Sequence, residues 1–427
     1  MQDVDLAAAV EDARSHTLAL IADLTDEQLL GERLSIVNPL RWEAGHVAWF
    51  QERWVLRHAL GQPPLHAQGD ALYDSSTVPH DTRWDLPLLS REETVRYLAE
   101  VRDRVLSASK RLPARAEYFL RLSIAHEDMH DEAFMITRQT LAYPRPALAA
   151  DAPRAAPVGS LEGDARIPGG VFLLGAVEGA EPFIHDNEKW AHPVEVPPFE
   201  MARAAVTQAQ FAEFVDAGGY RRESHWSEEG WAWRCSVGAE HPVYWRRASG
   251  GWERRDFDRW VSLEPYKAVI HVNWYEAEAY CRFAGRRLPT EPEWEMAASA
   301  ALDRNGSLSA DRRKFPWGSE TPRPSLANLD AVHLGCIDVG ALPEGDSAFG
   351  CRQMIGNVWE WTQSAFLPYP GFSADPYQDY SQPWFGTHKV LRGGCWATRG
   401  RLLRNTWRNF YTPDRRDVFA GFRTCRA

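Results

Sequence analysis

The sequence lacks the features that would place it in a membrane, in a secretory pathway or on nucleic acid. No apolar run reaches the roughly 18–20 residues that a membrane-spanning helix needs. The acidic N-terminus has neither the basic start nor the continuous apolar stretch of a signal peptide. The formal charge of -11 argues against general nucleic-acid binding, which needs a basic surface. We therefore expect a cytoplasmic protein without a membrane or nucleic-acid partner.

Cysteine is also scarce, with six residues that never form a Cys-x-x-Cys pair. This spacing excludes a zinc ribbon, and in a long chain without a secretion signal it favours free thiols over a disulfide framework. Hydrophobic residues make up 44% of the 427 positions, and 19 of the residues are tryptophan. Such a chain can bury a sizeable core, and its length suggests two domains or more.

Residues 1–145 carry apolar positions at helical spacing, as in Leu18, Ile21 and Leu24. A long, turn-rich segment separates the second predicted helix from the third. This pattern is typical of a four-helix bundle with one long crossover. The predicted helices span about 3–24, 39–60, 91–111 and 114–141.

The composition and the apolar periodicity of the sequence change after residue 145. Residues 146–165 are rich in alanine and proline and have no periodicity, which predicts a linker. From residue 166 to residue 427, short apolar runs alternate with loops rich in glycine, proline, asparagine and tryptophan. Only two helices are predicted there, Gln208–Ala217 and Trp274–Phe283. We expect an irregular α+β domain, without an internal repeat, in which loops form much of the surface.

Three histidines on two predicted helices form the sharpest chemical pattern. His126 and His130 are four residues apart, so their imidazoles project from one helix face and can share one ion. His46 lies among apolar and aromatic residues that should face the bundle interior. Three neutral imidazoles suit a first-row transition metal and leave coordination positions open. An exposed histidine pair and a hydrogen-bonded core histidine would give the same pattern, and zinc also accepts three histidines.

The C-terminal half carries motifs of a known fold. Gly356–Trp361 (GNVWEW), Leu288–Glu295 (LPTEPEWE) and Leu391–Gly394 (LRGG) resemble the hallmarks of the formylglycine-generating-enzyme/sulfatase-modifying fold, a C-type-lectin-like scaffold. Formylglycine generation also needs a closely placed cysteine pair, whereas Cys395 stands alone here. A DinB-like four-helix bundle with a His-x-x-x-His-x-Glu motif, fused to the N-terminal side of this fold, resembles the ergothioneine-pathway sulfoxide synthases.

The resemblance implies a non-haem iron enzyme that uses O2 to couple a chalcogen to C2 of trimethylhistidine (hercynine). The implied Fe(II) ligands are His46, His126 and His130. Aromatic faces attract a quaternary ammonium group, and the residues assigned to trimethylhistidine are Asn409, Phe410 and Met129. In the family one tyrosine donates a proton, and the counterparts here are Tyr377 and Tyr380.

Departures from the family concern the chalcogen donor. Members that take γ-glutamylcysteine bind its carboxylates with two arginines in the crossover loop, where this chain keeps Arg83 and has His80 in place of the other. In the C-terminal segment Tyr411 replaces an aspartate, while Arg415 is kept. Aromatic faces with a few hydrogen-bonding groups suit a neutral sugar better than a charged peptide. The residues assigned to the donor are His80, Arg83, Trp84, Tyr411 and Arg415.

We therefore predict an oxidoreductase that forms a C–Se bond with a selenosugar, as the selenoneine synthases of this family do. Three alternatives stay open at this point. The protein could be a sulfoxide synthase that uses cysteine or γ-glutamylcysteine. It could be a metal-dependent thiol transferase or hydrolase, or a binding protein without catalytic activity.

Overall fold

The computed structural model describes residues 5–110, 112–149, 157–303, 308–309 and 311–427. These residues form two compact units, residues 1–150 and 151–427, and each is considered by itself. Part of the predicted linker, residues 150–156, lies outside the described residues, so the domain boundaries stay a prediction. No helix in the described part of the chain is long and apolar enough to cross a membrane.

The first unit is helical, with two short helices added to the long ones. Its α-helices are α1 (Leu6–Ile21), α2 (Asp26–Leu30), α3 (Leu40–Gln51), α4 (Gly69–Tyr73), α5 (Arg91–Ser109) and α6 (Ala114–Thr140). The predicted helix over 39–60 is confirmed as unbroken helical backbone, in which α3 is followed directly by the π-helix Glu52–Ala59. The wider turn accompanies a buried Glu52, whose carboxylate accepts hydrogen bonds from Leu65 N and the Tyr97 hydroxyl.

Buried ion pairs tie these helices together. Arg14 on α1 donates to Glu127 on α6 at 2.7 Å, and both side chains are almost wholly buried. The Thr17 hydroxyl donates to Glu127 and to Asp131 on the same helix. A buried charge is tolerated only when it is paired and hydrogen-bonded. These contacts therefore fix which faces of α1 and α6 meet. They also fix the rotation of α6 about its axis, and with it the direction in which His126 and His130 project.

The second unit mixes short strands with four α-helices in its described residues. The helices are α7 (Gln208–Asp216), α8 (Glu228–Val237), α9 (Trp274–Phe283) and α10 (Glu291–Ser299). The sequence prediction included α7 and α9 and missed α8 and α10. α8 gives no clear helical periodicity of apolar residues, and only Gly230 of its residues is buried. α10 has a local sequence signal, since Thr290 and Glu293 form a capping box at its start.

Thirteen strands within the described residues form four small sheets. One sheet has the order β1-β4-β13-β8, made of Asp164–Ile167, Phe199–Ala202, Cys425–Arg426 and Arg286–Arg287. A second has the order β11-β10-β9-β12, made of Asn409–Tyr411, Lys389–Arg392, Trp359–Ala365 and Ala420–Gly421. The others are β2-β3 (Gly170–Leu174 and His192–Val196) and β5-β6-β7 (Trp245–Ala248, Gly251–Asp256 and Arg259–Ser262).

The family motifs of the second unit build its core. Glu360 on β9 accepts two hydrogen bonds from Arg423, at 2.6 and 2.7 Å, and a third from the Trp294 indole at 2.7 Å. All three side chains are buried. Trp361 is also fully buried and donates to the Val272 carbonyl. The indoles of these motifs thus serve the scaffold.

Candidate metal centre

Three histidines converge inside the helical unit. His46 on α3 and His126 and His130 on α6 each offer a ring nitrogen, and these three atoms lie within 4.8 Å of one another. The Nε2 atoms of His46 and His126 are 3.3 Å apart. His46 and His126 are 2% and 3% exposed, and His130 is partly buried. Three nitrogen atoms at this separation could hold one metal ion.

The opposite ring nitrogens of two of these histidines are held by protein oxygens. His46 Nδ1 lies 2.7 Å from the Tyr73 carbonyl, and His130 Nδ1 lies 2.6 Å from Glu43 Oε1. Carbonyl and carboxylate oxygens accept hydrogen bonds, so each Nδ1 carries the proton. The lone pair of Nε2 then points toward the shared centre. Metal-binding histidines are commonly oriented by such outer contacts.

Burial keeps His46 in the form that can bind a metal. Burial, the neighbouring His130 and Arg83 together hold the pKa of His46 well below its ordinary value. The ring is therefore neutral near pH 7, as a metal ligand must be. Trp42 stacks on His46 with ring centroids 4.9 Å apart, and Phe50 stacks on His126 at 3.5 Å. These rings restrict how the imidazoles can turn.

A close approach at Gly45 supports the same contact. A Cβ atom at this position would lie 2.2 Å from Tyr73 Cε1, closer than van der Waals contact permits. Because Gly45 precedes His46, any larger residue would push Tyr73 away from the histidine whose Nδ1 proton its carbonyl accepts. The glycine is therefore needed to hold α4 against α3.

The residues assigned to the chalcogen donor in the crossover loop take two different positions. The Arg83 guanidinium is buried 3.9 Å above the Trp42 ring, and its two terminal nitrogens donate to Asn38 Oδ1 and the Val78 carbonyl. His80 and Trp84 are half-buried and in contact, with ring centroids 5.4 Å apart. Arg83 thus reaches toward the ring that stacks on His46, whereas the other two lie at the surface of the unit.

The second unit gathers part of the assigned residues around Phe410 on β11. Tyr380 lies 5.4 Å from Phe410 by ring centroids, and Phe366 stacks on it at 4.1 Å. Burial, together with Glu188 and Tyr411, raises the pKa of Tyr380 well above its ordinary value, so its phenol stays protonated. Tyr377 is half-buried just before the short 3-10 helix that carries Tyr380.

The remaining assigned residues are engaged in local contacts. Asn409 Oδ1 accepts from the Phe410 backbone at 2.7 Å. Arg415 forms a bidentate pair with Asp417, with both contacts at 2.7 Å, and lies 5.2 Å from the Tyr411 ring. Met129 is half-buried on α6. These local contacts do not test the substrate-binding roles that the sequence assigned to Asn409, Tyr411, Arg415 and Met129, and those roles stay predictions.

Sequence reasoning missed Glu43, Tyr73 and His185. Glu43 is three residues before His46 on α3, a spacing that could have indicated a carboxylate on the same helix face. Tyr73 acts through its backbone carbonyl, which leaves no signal in the sequence. His185 is buried against Tyr380 with ring centroids 4.5 Å apart, and burial lowers its pKa to about 3. A lone histidine in a loop carries no pattern that would reveal this contact.

Comparison with known proteins agrees with this architecture. The DinB superfamily matches residues 9–133, and the sulfatase-modifying factor enzyme 1-like domain matches residues 149–427. The hercynine oxygenase of Mycolicibacterium thermoresistibile is 41% identical over 98% of this chain and 94% of its own length. That of Mycobacterium tuberculosis is 40% identical over 98% of this chain and 97% of its own. This chain belongs to the hercynine oxygenase family.

Membership in the hercynine oxygenase family confirms the predicted fold class, a DinB-like bundle followed by a formylglycine-generating-enzyme-like domain. It also confirms the resemblance to ergothioneine-pathway enzymes and makes the protein an oxidoreductase. The formylglycine-generating enzyme of Streptomyces coelicolor is 33% identical, over 66% of this chain and 95% of its own length. That share is about the length of the second unit, whereas the three histidines lie in the first.

Proposed function

We propose that the protein is a non-haem Fe(II) enzyme that uses O2 to couple a selenosugar to C2 of hercynine. Forming the C–Se bond from a C–H and an Se–H group releases two electrons and two protons, and O2 accepts them. Membership in the hercynine oxygenase family supports hercynine as the acceptor. The convergence of His46, His126 and His130 carries the metal assignment.

The donor set fits iron. The imidazole nitrogens of His46, His126 and His130 would hold the metal and would leave further coordination positions for exogenous ligands. When bound, the metal would supply a site at which O2 and the chalcogen are held beside the imidazole of hercynine. Trp42 and Phe50 pack on the rings of His46 and His126, and Glu43 accepts from His130, so all three rings are held in direction.

Hercynine carries a trimethylammonium group, which aromatic ring faces attract. Phe410 lies in an aromatic cluster, with Phe366 stacked on its ring at 4.1 Å and Tyr380 at 5.4 Å by ring centroids, and this cluster supplies the aromatic surface. Asn409, adjacent on the same strand, adds a side-chain amide for a polar contact. We assign both residues, and Met129 in the bundle, to hercynine binding.

A tyrosine serves as the proton donor in this proposal. The raised pKa of Tyr380 keeps its hydroxyl protonated at neutral pH, which a donor requires. Tyr377, directly before the 3-10 helix that contains Tyr380, is the second candidate. The contact of Tyr380 with Phe410, 5.4 Å away by ring centroids, favours it over Tyr377.

Charge in the donor residues favours a neutral sugar. Arg415 is already neutralised by Asp417, and the terminal nitrogens of Arg83 already donate to Asn38 and Val78. Neither guanidinium therefore offers a ready bidentate face to a carboxylate. His80, Trp84 and Tyr411 add aromatic surface with polar edges, which suits a sugar ring.

The test is an assay with Fe(II) reconstituted under anaerobic conditions, then started with hercynine and O2. A selenosugar, a thiosugar, γ-glutamylcysteine and cysteine compete as donors, and products are identified by mass. Preferential formation of the selenium adduct supports the proposal. Preferential coupling of cysteine or γ-glutamylcysteine would make the protein a sulfoxide synthase. Transfer of a thiol without O2 consumption would make it a thiol transferase.

Two single arginine variants, one of a donor residue and one as a control, test the donor assignment in the same assay. Arg83→Ala should raise the donor KM, and iron content is measured in parallel because Arg83 also packs on Trp42, which stacks on His46. The matched control is Arg104→Ala, which removes an exposed arginine of α5 that pairs with Glu100. An unchanged donor KM and kcat/KM in Arg83→Ala would show that Arg83 does not bind the donor.

A further inference from the structure

Glu43 is a buried carboxylate of the helical unit that contacts a histidine of the cluster. Its side chain is 1% exposed and lies on α3, three residues before His46. The buried Glu127 pairs with Arg14, and Glu52 accepts from the Tyr97 hydroxyl with Arg57 nearby. Glu43, by contrast, pairs with His130.

Only one of the two carboxylate oxygens of Glu43 has a hydrogen-bond partner among the described residues. Oε1 receives the His130 Nδ1 proton at 2.6 Å, while Oε2 is buried and has no hydrogen-bond partner among the described residues. A buried carboxylate oxygen without a hydrogen-bond partner is costly, and the Arg83 guanidinium interacts with Glu43 only electrostatically, without a hydrogen bond to it. A cation bound on the far side of the imidazole would compensate the charge through the ring. The location of Glu43 therefore suits a histidine cluster that holds a positive ion.

The three histidines are also supported unequally. A carbonyl receives the Nδ1 proton of His46, whereas a full negative charge receives that of His130. A carboxylate polarises the imidazole more strongly than a carbonyl does and makes Nε2 the better electron-pair donor. His130 is the most exposed of the three, with 19% of its side chain accessible. It is thus the ring that most needs an outer contact to hold its direction.

We propose that Glu43 is a positioning residue for the metal: it fixes the tautomer and direction of His130, strengthens Nε2 as a ligand, and is itself neutralised by the bound cation. This inference rests on the proposed metal-binding role of the three histidines. It predicts two opposite effects of removing the charge. Metal binding weakens, while the metal-free protein loses a buried, poorly compensated charge and keeps or gains stability.

The experiment titrates metal-stripped protein with Co²⁺ and records the ligand-field absorption bands and the thermal midpoint. Glu43→Gln keeps a neutral acceptor of the same shape, and Glu43→Leu removes the acceptor. We expect affinity to fall about 10–100-fold in the leucine variant and less in the glutamine variant. The Co²⁺ bands should shift in both. The metal-free midpoint of Glu43→Gln should equal or exceed that of wild type.

Glu52→Gln is the matched control, because it neutralises another buried carboxylate that contacts no histidine of the cluster. It should lower the metal-free midpoint, because the glutamine amide keeps one acceptor oxygen and can accept from only one of Tyr97 and Leu65, and it should leave the Co²⁺ affinity and bands unchanged. A wild-type Co²⁺ affinity in both Glu43 variants would overturn the inference. So would a lower metal-free midpoint in Glu43→Gln with unchanged bands, which would mark a purely structural residue.

His126→Ala separates this inference from the function on which it rests. Loss of Co²⁺ binding in His126→Ala, together with normal binding in the Glu43 variants, would overturn the role of Glu43 and leave the metal site standing. Failure of the wild-type protein to bind Co²⁺ or Fe(II) at all would overturn both.

Discussion

Glu291→Gln should destabilise the second unit strongly. Glu291 at the start of α10 is 3% exposed and accepts from Arg392 at 2.8 Å and from Arg408 at 2.7 and 3.0 Å. The substitution leaves Arg392 with Glu295 but deprives Arg408 of its carboxylate. Breaking a buried pair on one side costs about 4 kcal/mol. For a unit of this size the thermal midpoint should fall by roughly 10 °C.

Arg408 is followed directly by Asn409 and Phe410, so this loss also loosens the strand assigned to hercynine. Thermal unfolding followed by tryptophan fluorescence measures the midpoint, and Glu320→Gln is the control. Glu320 pairs with Arg323 at the surface and is 60% exposed, so its loss should stay within about 0.5 kcal/mol. Equal midpoints for the two variants would refute the view that the buried cluster holds this part of the fold.

Three further predictions concern the metal, the proton donor and pH. His126→Ala should lose bound iron, measured by elemental analysis, with the helical content in circular dichroism retained. Tyr380→Phe should lower kcat by about 100-fold with unchanged iron content, and an unchanged kcat would exclude Tyr380 as the donor. Hydrogen bonds from Arg57 lower the pKa of Asp70 to about 2, so the stabilisation is present at neutral pH and is lost on acidification toward that value. Because Asp70 is partly exposed, Asp70→Asn should cost only about 1 kcal/mol at pH 7, and denaturant curves should converge with wild type near pH 2.

Much of the fold and of the metal site could be predicted because short-range spacing encodes it. The four-residue interval between His126 and His130 places both rings on one face of any α-helix, whatever surrounds it. Apolar periodicity similarly indicated the long helices of the first unit. The prediction missed α8, where only Gly230 is buried, and it did not distinguish the π-helical turns of Glu52–Ala59 from an α-helix.

By itself, the sequence determined the family, the order of the two units and the three histidines, since these depend on motifs and local periodicity. Only the tertiary structure decided what each side chain contacts. The partners His130 and Glu43 are 87 positions apart, and Arg415 is neutralised by a neighbour that could equally have faced solvent. Such contacts depend on how helices and strands pack, because burial makes an unpaired charge costly and thereby selects its partner.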